Sequence, residues 1–317
     1  MVTDFRDDFN YYKKKEASLK EVLDFNDNHS IKDKVSKIDV CPNCNSLPLF
    51  GLIHPSQWEI YRLISNPGFI YIKNPFTAIG QRYWIIRCLR DYPKKPGRTN
   101  LDIHSITVKD DEWLPFSNDN ITSIINKLRW ATVGYHHNWD TKVYSEDSKS
   151  DFPEDLKMLS HYISNILQFD YFNAEAAIIN FYHMNSRLSG HTDHSEQCLD
   201  SPLFSFSFGQ SAIFLLGGLT MDVKPTAMFL NSGDIVVMST ESRLSYHGVP
   251  KIIKNPVSPW SDVVSCNSMN NSDIFDNEII SNCENNYWTP FEMYISINRI
   301  NINVRQVLKR NQNKICS

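Results

Sequence analysis

From Glu175 onward the chain is a succession of short apolar runs separated by turns, and this pattern limits the fold more than any other feature. The runs cover 175–183, 203–208, 211–217, 226–231, 234–239, 244–249 and 292–307. Strands this short and this closely spaced predict a double-sheet jelly roll. Helical patterns dominate upstream. Phe152, Leu156, Leu159, Ile163 and Leu167 recur at helical spacing, which predicts a core-facing helix over 153–168. Further helices are predicted within 1–26, around Trp58, Tyr61 and Leu63, around Trp84, Ile85, Cys88 and Leu89, and near 121–128, with one strand at 68–76 among them. The expected class is α+β: a double-stranded β-helix with N-terminal helices packed on it. Its expected parts are an N-terminal extension (1–50), a helical part (51–174) and a jelly-roll core (175–310). A stretch rich in Asn, Ser and Asp at 254–288, containing Cys266 and Cys283, is expected to be a partly disordered insertion.

The stretch Asn180–Asp193 carries the first chemical signal. His191 and Asp193 lie two apart on an extended segment, so their side chains point the same way. A third ligand must come from elsewhere, and His247 follows the apolar strand 234–238 through Ser242-Arg243-Leu244-Ser245-Tyr246. Two histidines and one carboxylate with open positions make the site of non-heme Fe(II) oxygenases. His-x-Asp alone also occurs on ordinary polar surface, and the distant strand–His–Gly lowers the weight of that reading. The run Met293–Val307 reads as one alternating strand. Arg299, Asn301, Asn303 and Arg305 share one face, and Ile300, Ile302 and Val304 share the other. Two guanidinium groups on a polar face suit a dicarboxylate; an edge strand with solvated arginines is the plainer alternative.

Composition bounds the partners. With 41% apolar and 12% aromatic residues, 317 residues suffice for a real core. The net charge of −4 excludes a globally basic nucleic-acid binder, so any such affinity must be local. The densest basic stretch holds Arg82, Arg87, Arg90, Lys94, Lys95 and Arg98, and reads either as a phosphate-contacting ridge or as a solvated helix face. Residues 128–150 hold Trp130, Tyr135, His136, His137, Trp139 and Tyr144, which suits a base-stacking loop or a core-packing one. Seven cysteines without dense spacing point to a reducing, intracellular compartment. Cys41-Pro42-Asn43-Cys44 is half of a zinc motif without a second pair nearby, and is read as free thiols. No apolar run reaches membrane-spanning length, so no membrane partner is expected. Early acids at Asp4, Asp7 and Asp8 argue against a secretory signal and weaken a mitochondrial presequence.

Taken together, Asn180-x-Tyr182, His191-x-Asp193, Ser242-Arg243-Leu244-x-Tyr246-His247-Gly248 and Arg299-x-Asn301-x-x-x-Arg305 resemble the AlkB family of Fe(II)/2-oxoglutarate dioxygenases. The segments Ser205–Gly218 and Leu128–Asp140 are similar to its AlkB homologue 1 subgroup, and the resemblance runs from about Trp58 to Val307. It implies Fe(II) held by His191, Asp193 and His247, with 2-oxoglutarate and O2 as cosubstrates. Arg299 would take the far carboxylate of 2-oxoglutarate, with Asn180, Tyr182 and Asn301 beside it. Arg305 would join them only if the strand curves, since six residues span roughly 20 Å. The reaction implied is hydroxylation of an N-methyl group on a base, with succinate, CO2 and formaldehyde as products. The target base is taken out of its stack into a pocket beside the iron, which assigns nucleotide recognition to 51–174.

Tyr135 and the His191 ring are the expected stacking partners, with Glu196 and Arg243 as further substrate contacts. Several family members carry an acid two residues after the metal Asp; here Ser195 stands there, followed by Glu196. The substrate implied is nucleic acid: tRNA or another structured RNA carrying N1-methyladenine. DNA, through N6-methyladenine or abasic sites, is the alternative among enzymes. A silent nucleic-acid binding module and a protein-modifying oxygenase are the alternatives from other classes. The expected location is nucleus, cytoplasm or mitochondrion, and the expected state a monomer.

Overall fold

The computed structural model describes residues 4–39, 47–102, 125–261, 273–283 and 286–315. Cys41, Cys44, Cys266 and residues 121–124 of a predicted helix lie outside them. Two antiparallel sheets stack face to face. The larger has nine strands: β1 (Val35–Ile38), β2 (Glu59–Leu63), β3 (Phe69–Lys73), β4 (Arg98–Thr99), β5 (Trp130–Gly134), β6 (Ala176–His183), β8 (Leu203–Gly209), β11 (Ile235–Met238) and β13 (Asn298–Arg305). They run in the order β1-β2-β3-β11-β8-β13-β6-β5-β4. The smaller, ordered β10-β9-β12-β7, comprises β7 (Leu188–His191), β9 (Ser211–Leu216), β10 (Thr226–Leu230) and β12 (His247–Ile253).

The period of β8 shows why the large sheet is covered on both sides. Phe204, Phe206 and Phe208 alternate with Ser205 and Ser207, and all three rings are fully buried. They pack with Ile300, Ile302 and Val304 against helices α2 (Ala78–Ile86) and α3 (Glu154–Ile166). Each such ring contributes about 1.5–3 kcal/mol on burial. The serine face turns to the space between the sheets, where Phe214, Met228, Val236, Met238 and Val249 form the inner core. Helix α1 (Phe5–Tyr12), capped by the Asp4 carboxylate accepting from the Asp7 amide at 2.9 Å, packs Phe5 and Tyr12 on the outer face of the small sheet.

Several expectations change. Residues 59–63 form β2, not a helix, and pair with β3. Their apolar positions satisfy both periods, and the neighbouring strand decides between them. The strand predicted over 292–307 starts only at Asn298. Before it lies a helix, Thr289–Ile295, with Pro290 in its first turn. Met293 and Ile297, which completed the apparent alternation, are 60% and 64% exposed. The insertion is anchored at both ends, since Trp260, Phe275, Ile279, Cys283 and Trp288 are buried in the main core. A boundary at residue 175 does not follow the sheet: β3, from the upstream part, pairs directly with β11 of the jelly roll. Among the described residues, no helix is long and apolar enough to cross a membrane.

Candidate active site

Strand pairing brings the distant histidine home. β12 lies antiparallel to β7 with His247 opposite His191, and their ring centroids are 4.3 Å apart. Asp193 follows β7 by two residues. Its Oδ1 lies 3.8 Å from His191 Nε2, and its Oδ2 lies 3.6 Å from His247 Nε2. One ligand atom from each of the three lies within 4.8 Å of the others, the one such group of three among the described residues. His191 Nδ1 sits 2.9 Å from the Ser189 carbonyl, and His247 Nδ1 sits 3.1 Å from that of Ser245. A carbonyl can only accept, so each Nδ1 carries the proton and each Nε2 presents its lone pair inward. Burial, with His191 beside it, pulls His247 down to about 4, so its ring is neutral at neutral pH. Burial pushes the Asp193 carboxyl up, but Arg305, His247 and His191 outweigh it and hold the group well below the usual carboxylate range. Two imidazoles with inward-facing ring nitrogens and an ionised carboxylate form the donor set that Fe(II) takes. Gly190 permits the approach of α1: a Cβ there would come within 2.6 Å of the Phe5 ring.

The triad opens on a cavity of about 710 Å³ between the sheets. Its far end is built by β13, where Arg299 pairs in register with Tyr182 of β6 and Gly209 of β8. Arg299 is 2% exposed. Its Nη1 donates to the Gln210 and Leu230 carbonyls, each at 3.0 Å, and its Nη2 donates to Ser207 Oγ at 2.7 Å. Its Nε is buried and donates to nothing, and no carboxylate of the described residues forms an ion pair with it. Burial lowers its pKa to about 10, which still leaves it charged. An unpaired buried cation costs several kcal/mol, so this end of the cavity is fitted to an anion. Asn180, Tyr182 and Asn301 line the same cavity, and the Asn301 amide is held by Ser205 Oγ at 2.9 Å and the Phe206 carbonyl at 3.0 Å.

Other expected contacts fall elsewhere. Arg305 lines the same cavity as Arg299 but sits at its metal end. Its Nη2 pairs with Asp193 Oδ1 at 2.9 Å and its Nη1 donates to the Tyr144 hydroxyl at 3.2 Å, so it grips the metal-side carboxylate. Glu196 and Arg243 are buried against each other at 3.0 Å rather than facing a substrate. Arg243 also donates to the Asp193 carbonyl at 2.7 Å and the Ser201 carbonyl at 3.1 Å. Tyr135 is 1% exposed. Gly134, at φ +73°, ends β5, and Tyr135 packs with Tyr144, Val307 and Leu308 while its hydroxyl donates to Glu146. The His191 ring lines the cavity.

The basic stretch is mostly internal. Arg82 donates to the Trp260 and Cys283 carbonyls, Arg87 pairs with Asp155 and Asp91, and Arg90 pairs with Asp91 and Asp276. Arg82, Arg87 and Arg90 are therefore not a phosphate ridge, because each is engaged inside the protein. The cavity is also lined by His137 and Trp139 of the aromatic loop, and by Lys142, Arg187 and His194, to which the sequence assigned no role. The aromatic loop was the available signal for the first two.

A jelly roll that presents a His-Asp-His triad and a buried arginine to one cavity defines an Fe(II)/2-oxoglutarate oxygenase. Consistent with this, the family model described as the 2OG-Fe(II) oxygenase superfamily matches residues 68–305. The chain is 38% identical over 340 residues to the human "Nucleic acid dioxygenase ALKBH1", covering 98% of this chain and 85% of that protein. It is 33% identical over 270 residues to the "tRNA demethylase abh1" of Schizosaccharomyces pombe, covering 78% and 82%. Against the Arabidopsis thaliana "DNA N(6)-methyladenine demethylase ALKBH1A" the identity is 29% over 336 residues, covering 92% and 88%. The chain belongs to the AlkB family of 2OG-Fe(II) oxygenases, in its AlkB homologue 1 subgroup. Its cofactors are Fe(II), 2-oxoglutarate and O2.

Proposed function

We propose that this dioxygenase demethylates nucleobases, with N1-methyladenine in tRNA as its substrate, inside the cell in nucleus, cytoplasm or mitochondrion. The carrying observation is one cavity with a His-Asp-His triad at one end and, at the other, a buried arginine that has no ion-pair partner among the described residues. The names of the human and fission-yeast relatives support nucleic acid and tRNA. The plant relative's name favours DNA N6-methyladenine as the second reading.

In this reading His191, Asp193 and His247 would hold iron, and Arg299 would take the far carboxylate of 2-oxoglutarate in the cavity that Asn180 and Tyr182 also line. Held there, iron would with 2-oxoglutarate and O2 supply the oxidation of an N-methyl C–H bond, 2-oxoglutarate being converted to succinate and CO2. The resulting hemiaminal loses formaldehyde. The chain's own contribution is positional. Arg305 restrains the Asp193 carboxylate, the Nδ1 hydrogen bonds fix both imidazoles, and the inner core of Phe214, Val236, Met238 and Val249 keeps the cavity wall dry.

The test is nucleoside mass spectrometry after incubating total tRNA with enzyme, Fe(II) and 2-oxoglutarate, with Asp193→Ala as control. N1-methyladenosine should fall as succinate and formaldehyde rise. Loss of N6-methyladenine from DNA with tRNA untouched would favour the second reading; no change in either would refute both.

A further inference from the structure

We propose that Trp139, Lys142 and Arg187 form a grip that takes one unpaired nucleotide of an RNA strand into the iron cavity, the indole stacking on a base and the two cations taking flanking phosphates. This rests on the nucleic-acid reading above and goes beyond it by assigning the contacts.

Three observations carry it. All three residues line the cavity and all three are exposed, so they stand at its opening. Second, the indole is large, half-exposed at 43%, and already buttressed. His137 packs edge-on against it at 4.8 Å between centroids, and Trp130 lies at 5.2 Å. The loop beneath it is ordered by its own backbone: Asn138 Oδ1 accepts from the Asp140 and Thr141 amides at 2.9 and 3.0 Å, and the Lys142 amide donates to the Asn138 carbonyl at 2.8 Å. Lys142 itself adopts φ +57°, closing that turn. A rigid aromatic held ready costs little further entropy when a base lies on it.

Third, the charges are free. Neither Lys142 nor Arg187 makes an ion pair or a side-chain hydrogen bond among the described residues, whereas Arg87, Arg90 and Lys95 are all paired with acids. Among the described residues, the cavity lining contains Lys142, Arg187, Arg299 and Arg305 but only one carboxylate, Asp193. Arg305 and the metal triad engage that carboxylate, so the opening is cationic. A stacking platform flanked by unpaired cations is the recognition chemistry of single-stranded nucleic acid. A peptide substrate has no comparable need for both.

The test measures binding of a labelled single-stranded ten-nucleotide oligoadenylate RNA to the full chain by fluorescence anisotropy across salt concentrations. Trp139→Ala should weaken binding about 5- to 150-fold at unchanged salt slope, and Trp139→Phe should retain part of the affinity. RNA should quench part of the intrinsic tryptophan emission of the wild type, and that part should vanish in Trp139→Ala. Lys142→Ala/Arg187→Ala should lower the log–log salt slope by about 1.4, two phosphates at ~0.7 each. Thermal melts by circular dichroism check that each variant is folded. Wild-type affinity and slope in both folded variants would overturn the grip and leave the nucleic-acid reading standing. Equal affinity for a blunt RNA duplex would overturn the single-nucleotide part. A wild type that ignores RNA but oxidises a peptide would overturn the grip and the reading together.

Discussion

Arg243→Met should destabilise the protein by about 3–5 kcal/mol, the usual cost of removing one partner of a buried ion pair. Arg243 is 2% exposed and ties Asp193, Glu196 and Ser201 to the turn that leads into His247. It thereby holds the segments bearing two of the three metal-type side chains against each other. Methionine replaces the volume but strands Glu196, left with Arg305 Nε at 3.5 Å and the Tyr144 hydroxyl at 3.4 Å. Two carbonyls also lose their donor, at about 1–3 kcal/mol for each left unsatisfied. These losses overlap, so they do not sum. Adding Glu196→Gln should recover about 0.5–3 kcal/mol, because no carboxylate is then left unpaired. Urea unfolding of the single and double variants measures the cycle, with the denaturant slope as the check on two-state behaviour. Affinity for Mn(II), as a spectroscopic stand-in for Fe(II), should fall about 10- to 100-fold, as when other outer partners of metal ligands are removed. A stability change within ~0.5 kcal/mol, as on an ordinary surface, would refute the clamp. So would loss of RNA affinity with stability and Mn(II) binding intact, which would restore the substrate-contact role.

Asp193→Ala and His247→Ala should each abolish stoichiometric Mn(II) binding by calorimetry; retention of full affinity by either would remove it from the ligand set. Arg299→Ala should weaken 2-oxoglutarate about 100-fold or more, the loss of a buried charge pair at ~3–5 kcal/mol, and a change under about threefold would place the cosubstrate elsewhere. Burial, with Arg98 and Lys95 nearby, pulls His136 down to about 4 from its ordinary 6.5. The unfolded chain then binds more protons than the folded one, so the stability His136 contributes is complete above pH 6.5 and is lost as pH falls toward 4. Urea midpoints should drop over that window by up to about 3 kcal/mol, and His136→Phe should flatten the drop; an unchanged profile would mean the ring is not buried neutral.

The jelly-roll strands were legible where an apolar face alternates with a polar one. In β8 the phenylalanines and serines alternate without a break. What sequence could not settle is where a short segment finds its hydrogen bonds. Trp58, Ile60, Tyr61 and Leu63 fit a helix or a strand, and only β3 alongside makes them a strand. β4 is two residues long and has no period at all. The reverse error arose at 292–297. Phe291, Tyr294 and Ile295 carry the helical spacing that packs, yet Met293 and Ile297 mimic alternation from the solvent side.

The same distinction divides the site. His191, Asp193 and His247 could be found because a two-residue spacing on one strand and a histidine opening another need only backbone pairing to meet. Glu196, Arg243 and Tyr135 lie outside the cavity lining because an ionisable side chain is assigned by its partner, and partners are tertiary. Glu196 shows how little separates the two outcomes. Two residues after Asp193 stands Ser195, which lines the cavity; one residue further, Glu196 turns the other way, into Arg243 and Arg305. The position from which family members present an acid to the base is therefore neutral here, and the acid next to it serves the fold. Among the described residues Asp193 is then the one carboxylate facing the cavity, and its charge is already engaged. Base selection in this chain must accordingly come from neutral groups and from the cationic, aromatic opening, which is where Trp139, Lys142 and Arg187 stand.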